Sequence, residues 1–188
     1  SLDMVCAIAP FDAVGRTRIA QLINKSNQFN LTTRRYTEAE VAAMEADPGL
    51  ATMQVRLADR FGDNGMISVV IFRKGTHEGR RAWICDTWLM SCRVLKRRVE
   101  EAVLDTAVAA ARAAGAAVIV GDYLPTAKNA MVAEHFPGLG FAAAGPVPGH
   151  PEGRRFVLDL AAHAAPDLPM ALHREAVLAG PAAATAAQ

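Results

Sequence analysis

The segment best suited to chemistry is Asp86–Leu95, DTWLMSCRVL, where an apolar strand is expected to pass into a helix. The start of a helix leaves backbone N–H groups unpaired, and these groups attract anions. A thiol placed there ionises more easily to the thiolate, which is the nucleophilic form. We therefore predict that Cys92 is a nucleophile in acyl transfer. The plainer alternative is a small buried apolar side chain, which is the usual state of a free cysteine.

Two further side chains are candidates to assist this thiol. On a regular strand, Asp86 shares a face with Trp88, Met90 and Cys92, where it could orient or deprotonate a bound group. The alternative for Asp86 is an ion pair with a nearby arginine. His135 ends a predicted helix and could act as a general base, although histidines at such positions are more often structural. Cys85 is the rival thiol, on the opposite strand face unless a β-bulge changes the alternation.

Length and composition limit the class of protein. The chain has 188 residues, 52% of them apolar and 21% charged, as expected for one globular domain. Its formal net charge of +1 favours neither nucleic acid nor a membrane surface as a partner. No apolar run reaches the roughly 20 residues of a membrane-spanning helix. Three cysteines without metal-ligand spacing predict free thiols, no metal site and a cytoplasmic location.

Hydrophobic periodicity predicts an α/β domain with a mixed central sheet and flanking helices. The predicted strands are residues 2–9, 51–57, 66–72, 82–92, 116–120 and 156–160. The predicted helices are residues 16–26, a helix opened by a capping box between Thr37 and Glu40, residues 97–114 and residues 126–135. We expect residues 1–165 to form the domain. Residues 166–188, rich in Ala and Pro, are expected to form a peripheral or disordered tail.

This order of elements resembles the GNAT acyltransferase fold. The segment KNAMVAEHFPGLGF, residues 128–141, resembles the asparagine and the closing LGF that are usual in that fold. The resemblance implies a notch between the fourth and fifth strands, here residues 82–92 and 116–120, that binds an acyl-carrying pantetheine thioester. Asn129 would then hydrogen-bond a pantetheine amide, with capping of its own helix as the alternative.

Three stretches resemble a narrower family. They are residues 18–36 (RIAQLINKSNQFNLTTRRY), 60–65 (RFGDNG) and 86–95, and together they resemble the C-terminal domain of FkbH-like proteins. The family supplies glyceryl units for polyketide precursors such as methoxymalonyl-carrier protein. A phosphoglyceryl group from 1,3-bisphosphoglycerate is taken onto a cysteine, dephosphorylated by a haloacid-dehalogenase-type phosphatase domain, and passed to the phosphopantetheine thiol of an acyl carrier protein. The sequence holds no counterpart of the phosphatase, which would act in trans or lie outside this sequence.

Amide and hydroxyl side chains are dense in the segment NKSNQFNLTT, residues 24–33. They could bind the hydroxyl and carboxyl oxygens of glycerate, or hydrogen-bond the backbone of an irregular loop. On the resemblance we favour substrate contact. The candidate substrate-binding residues are Asn24, Asn27, Gln28, Asn30, Thr32, Thr33, Arg93 and Asn129.

The sequence departs from the GNAT pattern directly after the fourth strand. The usual loop, Gln/Arg-x-x-Gly-x-Gly/Ala, corresponds to RVLKRR, with Lys96 and Arg98 at the glycine positions. Cβ atoms there would crowd a pyrophosphate, which argues against tight coenzyme A binding. A carrier-protein arm has a single phosphate, which these cations could bind. The candidate phosphopantetheine-binding residues are Arg93, Val94, Lys96, Arg97 and Arg98, and N–H groups near the first two are expected to stabilise an oxyanion.

The resulting hypothesis is an acyltransferase that carries a glyceryl group on Cys92 and delivers it to an acyl carrier protein. Cys92, Asp86 and His135 are its candidate catalytic residues. One alternative is a coenzyme A-dependent N-acetyltransferase, against which the missing glycines count. The other is a non-catalytic domain that docks a carrier protein or a phosphatase.

Overall fold

The computed structural model describes residues 3–175, which form one mixed eight-stranded sheet with helices on both faces. The strands are β1 (Val5–Ala9), β2 (Leu50–Asp59), β3 (Gly62–His77), β4 (Arg80–Met90), β5 (Val118–Tyr123), β6 (Ala142–Ala143), β7 (Arg154–Asp159) and β8 (Ala171–Arg174). The helices are α1 (Arg16–Lys25), α2 (Glu38–Met44), α3 (Val99–Ala113) and α4 (His135–Gly138). The strand order is β6-β7-β5-β4-β3-β2-β1-β8, and the predicted α/β class is confirmed.

The predicted meander is present and is longer than its apolar residues indicate. Strand β3 pairs antiparallel with β4 from Ser68 opposite Met90 to His77 opposite Arg80. Its polar end, beyond Phe72, therefore belongs to the strand because of backbone pairing and not because of hydrophobic alternation. The capping box that opens α2 is confirmed, since the side chains of Thr37 and Glu40 each accept a hydrogen bond from the other's backbone N–H.

The gap between β4 and β5 is set by a short parallel pairing. The two strands are hydrogen-bonded only from Ala82 opposite Val118 to Cys85 opposite Gly121. Beyond Cys85, β4 continues to Met90 paired with β3 but not with β5. A β-bulge lies where they part, because Thr87 and Cys85 face consecutive residues of β3 and leave Asp86 as the extra residue. The predicted splay of these two strands is therefore present in the structure.

Two predicted helices differ from those observed. Helix α3 begins at Val99 instead of residue 97, because Lys96 and Arg98 have left-handed φ angles of 66° and 64°. The predicted helix 126–135 is absent, and a 3-10 turn (Ala130–Val132) followed by the four-residue α4 replaces it. The side chain of Asn129 accepts hydrogen bonds from the Thr126 N–H and donates to the Leu124 carbonyl, which replaces helical pairing there.

The sheet extends past the predicted boundary at residue 165. Strand β8 pairs parallel with β1, and Met170 packs in the core beneath it. Arg174 in β8 bonds to Asp105 of α3 at 2.9 Å, and His163 bonds to the same carboxylate at 3.1 Å. The rest of the predicted tail, residues 176–188, lies outside the described residues. No helix within residues 3–175 combines the length and the apolar character needed to cross a bilayer.

Candidate functional site

Cys92 is exposed at the end of the gap between β4 and β5. After β4 ends, the side chain of Ser91 caps a 3-10 turn, Cys92–Val94, by accepting a hydrogen bond from the Arg93 N–H. The thiol lines a cavity of about 570 Å³ and donates to Oε1 of Gln28 at 3.8 Å. The other two cysteines are buried, and burial raises the pKa of Cys6 to about 11 and that of Cys85 as well. Cys92 is thus the thiol that an incoming substrate can reach.

The cavity beside Cys92 carries positive charge and hydrogen-bonding groups. Its polar lining is formed by Lys25, Ser26, Asn27, Gln28, Ser91 and Lys128, and its apolar lining by Leu22, Phe29, Leu89 and Met90. Sequence reasoning missed both lysines as site residues. Lys25 ends α1 and Lys128 follows β5, and their local sequence does not distinguish them from surface lysines. The fold brings both to the cavity that the thiol lines, which suits a substrate with oxygen-rich or anionic groups.

The predicted helix start at Cys92 is not found. Helix α3 begins well downstream, at Val99. The nearby N–H groups are also engaged, since Arg93 N–H donates to Ser91 Oγ at 3.3 Å and Val94 N–H to the Ser91 carbonyl at 3.2 Å. They are therefore not available as the predicted oxyanion donors. Positive charge near the thiol comes from side chains and not from a helix terminus.

The predicted face of Asp86 is wrong, because the bulge interrupts the alternation of β4. Trp88 and Met90 pack in the cluster of α3, whereas the Asp86 carboxylate accepts hydrogen bonds from Tyr36 at 2.7 Å and Arg34 at 3.2 Å. Arg73 is 3.5 Å away. Burial and this carboxylate together raise the pKa of the Tyr36 hydroxyl. The ion-pair alternative describes this residue, and Asp86 does not line the cavity of Cys92.

His135 packs among aromatic rings and does not line that cavity either. Its ring centroid lies 4.4 Å from that of Trp88, 5.4 Å from that of Phe29 and 5.0 Å from that of Phe136, all in edge-to-face contacts. Burial lowers the pKa of His135 to about 3, so the imidazole is neutral near pH 7 and a weak base. Its surroundings favour a structural role over the predicted general base.

Most of the amide and hydroxyl cluster holds its own loop together. Asn30 is fully buried, and its side chain accepts from the N–H groups of Thr32 and Thr33 and donates to the Ser26 carbonyl. Asn24 likewise donates to two carbonyls, those of Ala20 and Tyr36. These bonds leave the two side chains few free donors or acceptors for a substrate, as expected if they hydrogen-bond the backbone of an irregular loop.

Only part of this cluster faces the cavity. Asn27 and Gln28 line it, and Gln28 contacts the thiol directly. Thr32 Oγ1 instead donates to the carbonyl of Asp86 at 2.7 Å. The Thr33 hydroxyl is buried without a hydrogen-bond partner among the described residues. Asn129 is buried, and its side chain bonds to the Thr126 N–H and the Asn30 carbonyl without capping the 3-10 turn that follows it. These contacts with neighbouring backbone segments match neither the predicted contact with a pantetheine amide nor the capping alternative.

Some of the cations in the loop that follows Cys92 form ion pairs within the chain. Arg97 pairs with Asp59 at 3.0 Å and Arg98 with Glu101 at 2.7 Å, while Val94 is fully buried. Arg93 is exposed and bonds to Ser91 Oγ at 3.1 Å, and Lys96 is exposed. Of the five residues predicted to bind a phosphopantetheine phosphate, Arg93 and Lys96 are the cations that carry no acidic partner among the described residues.

The gap between β4 and β5 holds a segment of the chain itself. Leu31 N–H donates to the Trp88 carbonyl at 3.0 Å, and Met90 N–H donates to the Phe29 carbonyl at 3.1 Å. On the other side, Leu124 N–H donates to the Leu31 carbonyl at 2.9 Å. Residues 29–31 thus form a short bridge strand between the two splayed strands. Sequence reasoning placed these residues in a loop and gave no sign of this pairing.

Solved structures similar to this chain include acetyltransferases and a GNAT domain. The GNAT domain of S. lividans PAT shares 15% identity at a TM-score of 0.59, over 81% of this chain and 89% of that one. Spermidine N-acetyltransferase from Vibrio cholerae, in complex with CoA and spermine, shares 12% identity at a TM-score of 0.62, over 83% of this chain and 96% of that one. YncA from Salmonella typhimurium, with its cofactor acetyl-CoA, shares 18% identity at a TM-score of 0.58, over 86% of this chain and 98% of that one.

The chain has the GNAT fold. At these identities the similarity shows the fold alone. No family model matches the sequence. No curated protein matches it either. Within residues 3–175, no group of three His, Cys, Asp or Glu side chains is placed to hold a metal ion.

Proposed function

We propose that this GNAT-fold domain is an acyltransferase that holds a glyceryl group as a thioester on Cys92. The group would pass to the phosphopantetheine thiol of an acyl carrier protein, in the biosynthesis of a polyketide precursor. The observation that carries this proposal is the exposed thiol on a cavity of about 570 Å³ with lysine, amide and hydroxyl groups around it. A glyceryl group offers hydroxyl and carbonyl oxygens that match such a lining.

The chemistry is an acyl transfer onto the Cys92 sulfur followed by an exchange between two sulfur atoms. The Cys92 thiolate attacks the carbonyl carbon of the glyceryl donor, a C–S bond to Cys92 forms, and the donor's leaving group departs with its electron pair. The carrier thiolate then attacks the same carbon, and the Cys92 sulfur leaves and recovers a proton. Thioester exchange is nearly balanced in energy, so the protein's part is alignment and stabilisation of the oxyanion.

The cavity supplies both contributions from side chains. Gln28 Oε1 accepts the hydrogen bond of the thiol and fixes the direction of the sulfur. Lys25 and Lys128 bring positive charge to the cavity in which negative charge develops during attack. The three free thiols of the chain are compatible with the reducing cytoplasm that we propose as its location. A haloacid-dehalogenase-type phosphatase domain remains the proposed partner for a phosphorylated donor.

Carrier-protein loading tests the proposal. The chain is incubated with a small glyceryl thioester and a phosphopantetheine-bearing carrier protein, and the mass of the carrier is followed with time. We expect glyceryl transfer with the wild-type chain and at least a tenfold slower transfer with Cys92→Ser, because an alcohol is a far weaker nucleophile. Cys85→Ser is the matched control and should keep the wild-type rate. Equal rates for wild type and Cys92→Ser would contradict the proposal, and would favour a docking domain without catalysis where neither rate exceeds that measured without the chain.

A coenzyme A-dependent N-acetyltransferase is the second candidate. The solved structures of this fold favour it, since two of them hold CoA or acetyl-CoA. This candidate predicts acetylation of an amine from acetyl-CoA, unaffected by Cys92→Ser because the transfer is direct. The same two variants therefore separate the candidates: loss of glyceryl transfer favours the first, and Cys92-independent amine acetylation favours the second.

A further inference from the structure

The edge of β4 that faces the gap is paired with the chain's own residues. Beyond Cys85, where β5 no longer pairs with it, the edge presents the carbonyls of Asp86 and Trp88 and the N–H of Met90. Thr32 Oγ1 donates to the Asp86 carbonyl at 2.7 Å, and Leu31 N–H donates to the Trp88 carbonyl at 3.0 Å. The Met90 N–H donates to the Phe29 carbonyl at 3.1 Å. The carbonyls of Asp86 and Trp88 and the N–H of Met90 are therefore already paired within the chain.

The bridge strand, residues 29–31, is also held from the side of β5. Leu124 N–H bonds to the Leu31 carbonyl at 2.9 Å, and Asn129 Nδ2 bonds to the Asn30 carbonyl at 2.9 Å. Asn30 and Leu31 are fully buried. Displacing the bridge strand would break bonds on both sides of the gap and expose these groups together, which is costly for buried polar atoms.

Aromatic rings fill the gap from the α3 side. Trp88 and His135 pack edge to face at 4.4 Å, and Phe29 and Phe136 complete the contact. Trp88 is 1% exposed and Phe29 6% exposed. The gap is therefore packed on the face of the sheet that carries α3.

The phosphate end of the usual cofactor site is altered as well. Lys96 and Arg98 keep the left-handed backbone that glycine favours, with φ angles of 66° and 64°, but each adds a side chain. Two carboxylates, those of Glu100 and Glu101, occupy the first turn of α3. Negative charge at a helix N-terminus competes with a pyrophosphate for the same N–H groups.

We infer that the bridge strand takes the place that the GNAT fold reserves for the pantetheine arm, so that this chain does not bind coenzyme A in the gap. The residues present do not fit that cofactor. A substrate reaches Cys92 from the open cavity between Lys25 and Lys128 instead. The inference concerns the gap alone and does not depend on glyceryl transfer.

Binding of dethio-coenzyme A tests this inference, because it lacks the thiol and cannot exchange with Cys92. Calorimetry is carried out on the wild-type chain and on the double variant Lys96→Gly, Arg98→Gly, whose glycines suit the observed φ angles. We expect no saturable binding to either protein below about 1 mM, since the bridge strand is unchanged in both. Binding to the wild type would overturn the inference. Binding to the double variant alone would also overturn it, because the loop side chains would then be the obstacle.

Hydrogen exchange supplies a second readout in the same proteins. The amides of Leu31 and Met90 should be strongly protected, and millimolar dethio-coenzyme A should not change their exchange. A loss of protection on addition of the ligand would show that the bridge strand gives way, and would overturn the inference. Carrier loading through Cys92 is measured separately, so failure of the proposed function and failure of this inference give different results.

Discussion

Cys92 and Asp86 are close in sequence, yet the bulge at Asp86 gives them different surroundings. The sulfur lines an open cavity that also contains two lysines, and the carboxylate is buried against Arg34 and Tyr36. A regular strand would have placed both on one face, and the parity of a bulged strand cannot be read from its residues. At this scale the chemistry belongs to the thiol, and the carboxylate stabilises the fold.

Replacement of Asp86 separates these roles. Asp86→Asn removes the charge that pairs with Arg34 and Arg73 while keeping the side-chain shape. We expect the free energy of unfolding to fall by about 2 kcal/mol, measured by urea denaturation, because charge-assisted hydrogen bonds are lost. The rate of alkylation of Cys92 by iodoacetamide should stay within about twofold of wild type, since the thiol has no contact with the carboxylate. A stable variant with slow alkylation would instead make Asp86 an activating group.

His135 makes stability depend on pH. Its pKa in the folded state is about 3, below the ordinary 6.5 that applies to the unfolded chain. Above pH 6.5 neither state is protonated, so His135 contributes no pH dependence there. As the pH falls below that value, His135 binds a proton in the unfolded state but not in the folded state. The free energy of unfolding should therefore fall by at most about 1.4 kcal/mol per pH unit.

His135→Met isolates this effect, because methionine fills the site without titrating. Urea denaturation of both proteins between about pH 7 and pH 5 gives the difference. We expect the two stabilities to diverge in favour of the variant as the pH falls. Parallel curves would mean that the imidazole is not buried as neutral, and would restore His135 as a candidate base.

In the loop between β4 and α3, two residues with side chains have backbone angles that favour glycine. Lys96 and Arg98 adopt φ angles that L-residues rarely take, and the loop nevertheless keeps the course that glycines would give it. The sequence pattern located this departure correctly, because the positions of the missing glycines are fixed by motif spacing. It did not predict the pairing of Arg97 with Asp59, because Asp59 lies on β2, or that of Arg98 with Glu101, because the observed start of α3 brings those two side chains together.

A pair of substitutions measures the strain in this loop. Lys96→Gly and Lys96→Ala remove the same amine, but only glycine suits the left-handed φ. We expect the glycine variant to be more stable than the alanine variant by about 1 kcal/mol in thermal or urea denaturation. Equal stabilities, or a more stable alanine variant, would indicate that the loop does not hold this conformation in solution.

The sheet as a whole could be predicted from the sequence in its central part and not at its edges. The capping box at Thr37, the meander and the parallel position of β5 follow from local patterns. Strand β8 did not, because its residues, ALHR, carry no alternation and are recruited by the free edge of β1. The bridge strand was missed for the same reason, since tertiary pairing selects it and local propensity does not.

Strand β8 should therefore matter for stability. A chain that ends at Ala165 loses β8 and the core side chain of Met170, and is compared with a chain that ends at Glu175. We expect the shorter chain to be less stable by at least about 2 kcal/mol in urea denaturation, because an apolar side chain and a set of strand bonds are lost. Its exposed β1 edge should also promote self-association, seen by light scattering. Equal stability and a monomeric state would show that the domain ends before β8.

The fold brings the end of α1, the end of β4 and the segment after β5 together around one sulfur, and the central claim is that this sulfur carries the acyl group. The direct measurement is the intact mass of the chain after reaction with a glyceryl thioester in the absence of carrier protein. We expect one glyceryl increment on the wild type and on Cys85→Ser, removed by a thiol reagent and absent from Cys92→Ala. An increment that persists in Cys92→Ala, or a wild-type chain that stays unmodified, would contradict it.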